Sequence, residues 1–402
     1  MRVPTRGSTP PLRIARIITR LNVGGPAIQA IEMSARFERA GCHTLLVHGR
    51  LGAGEGDMRY LVPADRTFEM VHVPSLRREV SPIADAAATA RVFALLRRFR
   101  PAIVHTHTAK AGTVGRAAAL LYNITVAGSA RARLVHTYHG HVLDGYFSPW
   151  TARAFTAIER ALAHRTDALV AVSESVRCNL VDGHAVGSAD RFRVVPLGLD
   201  LSRLAAIGAR EREEARAAFG LDADARVVAL VGRLTAIKQP QLFLDAAARV
   251  AEADPRARFL VAGGGELEAA VRSQIAERGL SDRVRMLGWQ RDVAPVYAAS
   301  DLVAVTSRNE GTPVALIEGM AARVPAVCFD VGGVRDVIRS PDLGVLVAPD
   351  DVASLADEIL RLLADETRRA GMGARARASA VDRFGVDRLE RDLGALYAEL
   401  VG

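Results

Sequence analysis

Short apolar runs alternate with amphipathic stretches along almost the whole chain, and that alternation leaves few folds open. In the first half the runs are Arg13–Thr19, Thr44–His48, Ile103–His105, Leu134–His136, Ala168–Val172 and Phe192–Val195, with helical spacing over 26–40, 83–99, 112–122, 151–163 and 174–182. The second half repeats the scheme. Its runs are Arg226–Val231, Arg258–Ala262, Val284–Leu287, Leu302–Val305, Ala326–Phe329 and Val345–Val347, with helical spacing over 239–253, 265–278, 313–322, 351–364 and 384–400. A run such as Leu302-Val303-Ala304-Val305 has no polar face, which suits a parallel strand covered on both sides. Strands alternating with helices build doubly wound α/β sheets. Two such sets in 402 residues exceed what one core accommodates. The expectation is two Rossmann-like domains facing each other across a cleft. Val194-Val195-Pro196-Leu197-Gly198-Leu199-Asp200 ends a strand with Pro and Gly, and the charged stretch Arg210–Arg216 follows, so the break is placed there. The domains expected are 13–196 and 197–383, with a tail over 1–12 and a last helix over 384–402.

No apolar run reaches the ~20 residues of a membrane span, and Met1–Leu12 lacks the apolar core of a signal peptide. A cytoplasmic chain is expected. Cys42, Cys178 and Cys328 are far apart and odd in number, which gives neither a disulfide framework nor a zinc spacing. Residues 1–195 carry 26 Lys and Arg against 14 Asp and Glu, whereas the remainder carries 27 against 31. The basic half suits an anionic partner, unless it reflects only a general preference for arginine. Of 53 basic residues, only Lys110 and Lys238 are lysine. A compact ammonium is suggested at those two positions.

In open α/β sheets, ligands bind beyond the carboxyl ends of strands, and three motifs fall there. Asn22-Val23-Gly24-Gly25-Pro26 joins the first strand to the first helix. Its glycines let backbone approach a ligand at a helix N-terminus, or they form an ordinary turn. Gly232-Arg233-Leu234 leaves a strand end with Lys238 five residues beyond Arg233, which is either a two-cation clamp for a diphosphate or two surface charges. Glu310-Gly311-Thr312-Pro313-Val314-Ala315-Leu316-Ile317-Glu318 places one carboxylate in a loop and another along a helix. Thr312 is the expected N-cap and Pro313 the first helical residue. Carboxylates so placed accept from sugar or ribose hydroxyls.

The order Gly-Gly, Gly-Arg-Leu-x3-Lys and Glu-x7-Glu resembles the family four retaining glycosyltransferases of GT-B fold, over nearly the whole chain. Val-Pro-x-Gly-x-Asp at 195–200 is similar too, with Leu197 where many members carry Asn. Gly263-Gly264-Gly265-Glu266 resembles the glycine turn of the family's donor domain. The resemblance implies that Arg233 and Lys238 bind the donor diphosphate, Glu310 the donor sugar and Glu318 the ribose. Gly25 would meet phosphate through its backbone. Gly264, Gly311, Thr312 and Pro313 would complete the donor site, with Leu287-Gly288-Trp289 beside the base and ribose. The last helix would cross back to the first domain.

Five histidines, His105, His107, His136, His139 and His141, fall within 37 residues at two strand ends. A His-x-His pair can bind metal, but no carboxylate follows a ligand-like pattern, and hydrogen-bonding histidines lining the cleft are the alternative. The resemblance gives His139 a place near the reacting sugar. His107 and Lys110 lie in a segment similar to Thr-His-x-x-Lys-Ala-Gly-x-x-Gly-Arg. With His141 and Tyr146 they are the acceptor-side candidates. Leu143–Trp150 holds three aromatics that either form an acceptor pocket, touch a bilayer or staple the next helix. Ala94–Arg100 is basic and either touches anionic lipid or is simply solvated.

The expectation is a transferase that moves a sugar from a nucleotide-sugar to an acceptor hydroxyl. Retention of configuration is implied by the resemblance. Cations and helix amides would stabilise the departing diphosphate, so neither a divalent metal nor another cofactor is expected. The acceptor is expected to be a glycan or a lipid-linked saccharide of envelope or polysaccharide synthesis, with the enzyme at the inner face of the plasma membrane and no nucleic acid bound. The alternatives are a nucleotide-sugar epimerase of the same fold and a histidine-metal hydrolase.

Overall fold

The computed structural model describes residues 11–52, 55–140 and 149–402. The chain divides into two compact units. One comprises residues up to Leu199 together with Val386–Gly402, and the other spans Asp200–Gly385. Both are parallel-sheet α/β units of Rossmann type.

The first unit contains strands β1 (Arg13–Ile18), β2 (His43–His48), β3 (Glu69–His72), β4 (Ile103–His107), β5 (Arg133–Tyr138), β6 (Ala168–Ala171) and β7 (Phe192–Val194). They form one sheet in the order β3-β2-β1-β4-β5-β6-β7. Every pairing is parallel. The order reverses between β1 and β4. The helices α1 (Gly25–Arg39), α2 (Pro82–Phe99) and α3 (Ala109–Thr125) connect the strands around that point.

The C-terminal helix Val386–Val401 belongs to this unit. Its Leu389, Leu393, Leu396 and Tyr397 pack with Ile14, Met33, Phe37, Val135 and Val170. Its seat is the Val-Pro-x-Gly segment. A Cβ on Gly198 would stand 2.4 Å from Leu389 Cβ, so only glycine fits. Arg388 donates to the Pro196 and Leu197 carbonyls, and Val386 N–H to Leu199.

The second unit contains β8 (Arg226–Val231), β9 (Ala257–Ala262), β10 (Val284–Gly288), β11 (Leu302–Val305), β12 (Ala326–Phe329) and β13 (Val345–Val347). Their order is β10-β9-β8-β11-β12-β13, again all parallel, with the reversal between β8 and β11.

Several elements differ from the sequence expectation, among them the short helices Ser202–Ala205, Ala294–Ala299 and Val334–Val337, which were not expected. β3 was not expected, because Glu-Met-Val-His is a half-exposed edge strand with no apolar run. The charged stretch after the break is a helix, Ala209–Ala218, that buries only Ala215 and so carries no apolar stripe to read. Glu366–Phe384 is a 19-residue helix whose apolar contacts are Met372, Ala376, Ala380 and Phe384 at four-residue steps within an arginine-rich sequence. The stretch over 174–182 is an α-helix only through Cys178, then widens into a π turn over Asn179–Gly183.

Candidate functional site

At the reversal point of the second sheet, the ends of β8 and β11 deliver their loops to one hollow lined by Gly232, Arg233, Lys238, Ser307, Glu310 and Pro313. Lys238 closes a short turn, Ala236–Lys238, just before the helix Pro240–Ala253. Its ammonium donates to Glu310 Oε1 at 2.5 Å, and Ser307 Oγ donates to the same oxygen at 2.6 Å. The Glu310 side chain is only 8 % exposed. Glu310 Oε2 has no partner among the described residues and is free to accept from a ligand. Arg233 is exposed, and its guanidinium makes no ion pair among the described residues. The expected clamp is therefore one free cation and one cation held on the carboxylate.

Glycines let these loops touch. Gly263 has φ +148°, and a Cβ there would stand 1.8 Å from the Gly232 carbonyl oxygen. Gly332 and Gly333, after β12, were missed in the sequence. A Cβ on Gly332 would meet the Glu310 carbonyl oxygen at 2.3 Å, and one on Gly333 would meet that of Gly311 at 2.0 Å. Gly333 N–H also donates to Glu310 O at 2.7 Å. This pair seats the Glu310 loop, and the Gly-Gly three residues beyond the end of an apolar strand was the available signal. Gly264 accepts from Leu234 N–H. Trp289, just beyond β10, is 42 % exposed.

The expected cap does not form. The helix Val314–Ala321 has Pro313 as its N-cap, not as its first residue. Pro313 is extended, and its carbonyl accepts from Leu316 and Ile317 N–H. Thr312 Oγ1 is instead buried beside the helix start without a partner.

Glu318 lies one helix turn further in. Its Oε2 is 2.8 Å from Tyr297 Oη, which is also 3.1 Å from the Ala315 carbonyl oxygen. Burial raises the Glu318 carboxyl to about 7, against the lowering effect of the tyrosine hydrogen bond, and raises Tyr297 well above its usual range. Dense packing around the carboxyl sets this direction although part of the side chain stays accessible. A protonated Glu318 donates to Tyr297 while Tyr297 donates to Ala315. Ionised, it accepts from Tyr297. The folded chain holds this proton more tightly than the unfolded chain, whose carboxyl titrates near 4.5. Stability from this group is thus highest below about pH 4.5 and is lost as pH rises through about 7. Relative to the parent, Glu318→Gln is expected to gain up to about 3 kcal/mol between pH 5 and 8 in denaturant melts. A constant difference across that range contradicts the burial argument.

In the first unit, α3 explains much of its motif. A Cβ on Gly112 would stand 2.5 Å from His136 Cε1, and one on Gly115 would stand 2.7 Å from Thr106 Cγ2, so the helix lies directly on β4 and β5. Lys110 is bound to Asp85 of α2 at 2.5 Å. Wholly buried Arg116 meets both oxygens of Glu159 at 2.7 Å, and Tyr138 donates to Glu159 at 2.5 Å. Thr108 holds φ +67°, an unusual value for a non-glycine residue. Its hydroxyl bonds Thr19 at 2.7 Å across the reversal point.

Three of the five histidines, His105, His107 and His139, converge on one face of the sheet, while His136 faces α3 on the other. His105 Nδ1 faces Tyr397 Oη at 2.5 Å and Arg16 Nη1 at 3.4 Å. Arginine only donates, so Nδ1 accepts and Nε2–H donates to Thr137 Oγ1. His136 bonds Thr106, and His107 Nδ1 is 3.1 Å from His139 Nε2. Burial holds His105, His107 and His136 well below the usual range and His139 down to about 3. All four are neutral. No group of three or more His, Cys, Asp or Glu among the described residues is placed to hold a metal. His141 and Tyr146, with most of Leu143–Trp150, lie outside the described residues.

Residues 23–203 match the model described as "Glycosyltransferase Family 4", and residues 211–379 match "Glycosyl transferases group 1". The chain belongs to the GT-B glycosyltransferases of the family four type. The UDP-Gal:alpha-D-GlcNAc-diphosphoundecaprenol alpha-1,3-galactosyltransferase of Escherichia coli is 27 % identical over 346 residues, covering 85 % of this glycosyltransferase and 86 % of that enzyme. The D-inositol 3-phosphate glycosyltransferase of Corynebacterium efficiens is 28 % identical, covering 94 % and 90 %. Among solved structures, Anabaena Alr3699/HepE in complex with UDP and glucose superposes with a TM-score of 0.81 at 22 % identity, over 96 % of this chain and all of that one.

Proposed function

We propose that this chain transfers a sugar from a nucleotide-sugar, most simply a UDP-sugar, to an acceptor hydroxyl with retention of configuration and without a divalent metal or other cofactor. The observation that carries the reading is the hollow where Arg233 stands free beside Lys238 and Glu310. A diphosphate entering it meets Arg233 at once and draws Lys238 from its carboxylate. Lys238 and Arg233 then stabilise the charge that develops as the sugar–phosphate bond breaks. Glu310 Oε2 accepts from a donor-sugar hydroxyl, and Glu318 from the ribose. Gly25 offers backbone N–H to phosphate. Gly264, Gly311, Thr312 and Pro313 frame the donor loops, and Thr312 Oγ1 has a hydrogen bond to give. His139 stands beside the reacting sugar. His107, His141 and Tyr146 serve the acceptor, and Lys110 shapes that side by holding α3 on Asp85. Retention follows if the acceptor hydroxyl attacks from the face the phosphate leaves, with that phosphate taking its proton. Turnover in excess EDTA is expected to match turnover without it, and NMR of early product should show the donor's anomeric configuration. An inverted product, or activity abolished by EDTA and restored by a divalent ion, contradicts the proposal. Conversion of the sugar-nucleotide with no acceptor consumed would point instead to an epimerase.

The acceptors named for the two relatives both carry phosphate, one of them on a lipid. This supports a lipid-linked or phosphorylated acceptor of envelope synthesis at the inner membrane face. Residues 77–133 hold ten Lys and Arg against two Asp and Glu, a balance equal to the whole chain's +8. Asp85 is already bound to Lys110. On the same stretch Val80, Ile83, Leu121 and Ile124 are exposed, Ile83 by 86 %. Arg98, Arg116 and Arg133 are paired with Glu69, Glu159 and Asp167, and the remaining arginines among these aliphatic side chains suit an anionic bilayer. Co-sedimentation with phosphatidylglycerol vesicles is expected at low salt and not with phosphatidylcholine. Ile83→Asp with Ile124→Asp should weaken it at least tenfold. Equal binding to both lipids, or an unaffected variant, contradicts this docking surface.

A further inference from the structure

Two non-glycine residues of the second unit hold left-handed backbone and meet through their side chains. Gln239 has φ +45° and ψ +53°. Asp350, three residues beyond β13, has φ +62°. Gln239 is buried, and its Nε2 donates to Asp350 Oδ1 at 3.0 Å. A Cβ makes such backbone costly. Gln239 also stands directly before Pro240, whose ring favours an extended residue ahead of it. Strain of this kind persists only where the surroundings impose it, and it gathers at functional sites. Here the surroundings are explicit. Thr306, wholly buried just beyond β11, places its hydroxyl 3.1 Å from the Lys238 carbonyl oxygen and 3.2 Å from that of Gln239. Arg308 N–H donates to the Ile237 carbonyl at 2.8 Å.

These contacts hold the turn Ala236–Lys238. No side chain caps its start, where Thr235 Oγ1 is buried without a partner among the described residues. Its last residue is Lys238, whose ammonium rests on Glu310. A lysine stem is flexible, so the ammonium reaches a chosen point only if the backbone beneath it is fixed. The extended backbone that Pro240 favours at Gln239 would unmake the turn and carry Lys238 off Glu310. Neither Gln239 nor Asp350 lines the hollow, so both act on it through Lys238. We propose that Gln239 is a positioning residue for Lys238. Tethered to Asp350, it keeps the turn in the conformation that aims the ammonium at Glu310 before the diphosphate binds and at the diphosphate afterwards. This rests on the donor-site reading above.

UDP is titrated calorimetrically, in buffer with magnesium, into the full chain as parent, Gln239→Leu, Asp350→Gly and Asp350→Asn. The first two variants break one hydrogen bond from opposite ends, and asparagine keeps an accepting oxygen there. Gln239→Leu should melt no earlier than the parent. It removes a buried amide whose Oε1 has no partner among the described residues, and the exposed Asp350 turns to water. If it does melt early, Asp350→Gly carries the test, since glycine suits the positive φ of that exposed position. UDP affinity is expected to fall about three- to tenfold in Gln239→Leu and in Asp350→Gly, and to match the parent in Asp350→Asn. Added to Lys238→Ala, Gln239→Leu should change Kd by less than about twofold, because the group it positions is gone. If Lys238→Ala does not fold, Lys238→Met with Glu310→Gln serves as that background. Parental affinity in both tether variants, or a loss that persists undiminished without Lys238, overturns the proposal and leaves the tether only to anchor the helix Pro240–Ala253. A parent chain that binds no UDP overturns the donor-site reading, and this inference with it, before any substitution is made.

Discussion

Replacing Glu310 with glutamine is expected to lower turnover by about 10²–10³ while the fold persists. The carboxylate is nearly buried, and its Oε1 already takes hydrogen bonds from Lys238 and Ser307. Glutamine keeps the shape and one accepting oxygen, but its NH₂ faces either the ammonium or the sugar hydroxyl, and both require an acceptor. The loss should appear in kcat more than in nucleotide affinity, because the diphosphate meets the cations and not the carboxylate. Glu310→Ala should be at least as inactive and less stable, since Ser307 and Lys238 then lose their shared acceptor. Steady-state kinetics with a parallel UDP titration checks this. Near-parental kcat in Glu310→Gln would remove the donor-sugar role.

Lys238→Ala and Arg233→Ala are expected to differ in stability and agree in binding. Removing the ammonium leaves a nearly buried carboxylate without its counter-charge, the kind of break that costs about 3–5 kcal/mol. Removing the Arg233 guanidinium breaks no ion pair in the ligand-free chain, so its melt should stay within about 0.5 kcal/mol of the parent. Both should weaken nucleoside diphosphate binding by at least tenfold, since each loses a charge-assisted contact to phosphate. Lys238→Met with Glu310→Gln should recover stability without activity, because the uncompensated charge is gone. Denaturant melts and calorimetric titration give both readouts. Equal destabilisation by the two single variants would contradict the paired and unpaired states of these cations.

Much of this was legible in the residues. Apolar runs with no polar face placed the central strands to within two or three residues, and β8, β11, β12 and β13 fall where the runs lie. Strand ends pointed to Arg233, Lys238 and Glu310, which the fold gathers into one hollow. What stayed hidden depends on partners distant in sequence. That Lys238 rests on Glu310 while Arg233 stands free is a matter of side-chain reach across two loops. That Lys110 is consumed by Asp85 depends on how α2 meets α3. Thr312 looked like a cap because the Thr-Pro pattern is correct locally, yet the extended Pro313 takes that position itself. The helix Glu366–Phe384 escaped notice because alanines and a few large side chains bury its face without a strong apolar period. Gln239 gave no signal, since a residue before proline is ordinarily extended.

The central claim is that the Arg233–Lys238–Glu310 hollow receives a nucleoside diphosphate without a metal. Calorimetric titration of the full chain with UDP, in EDTA and again with magnesium, tests it most directly. The account predicts one site, equal affinity in both buffers, and binding weakened at least tenfold in Arg233→Ala. Absence of binding in EDTA with recovery in magnesium, or binding indifferent to Arg233, would contradict it.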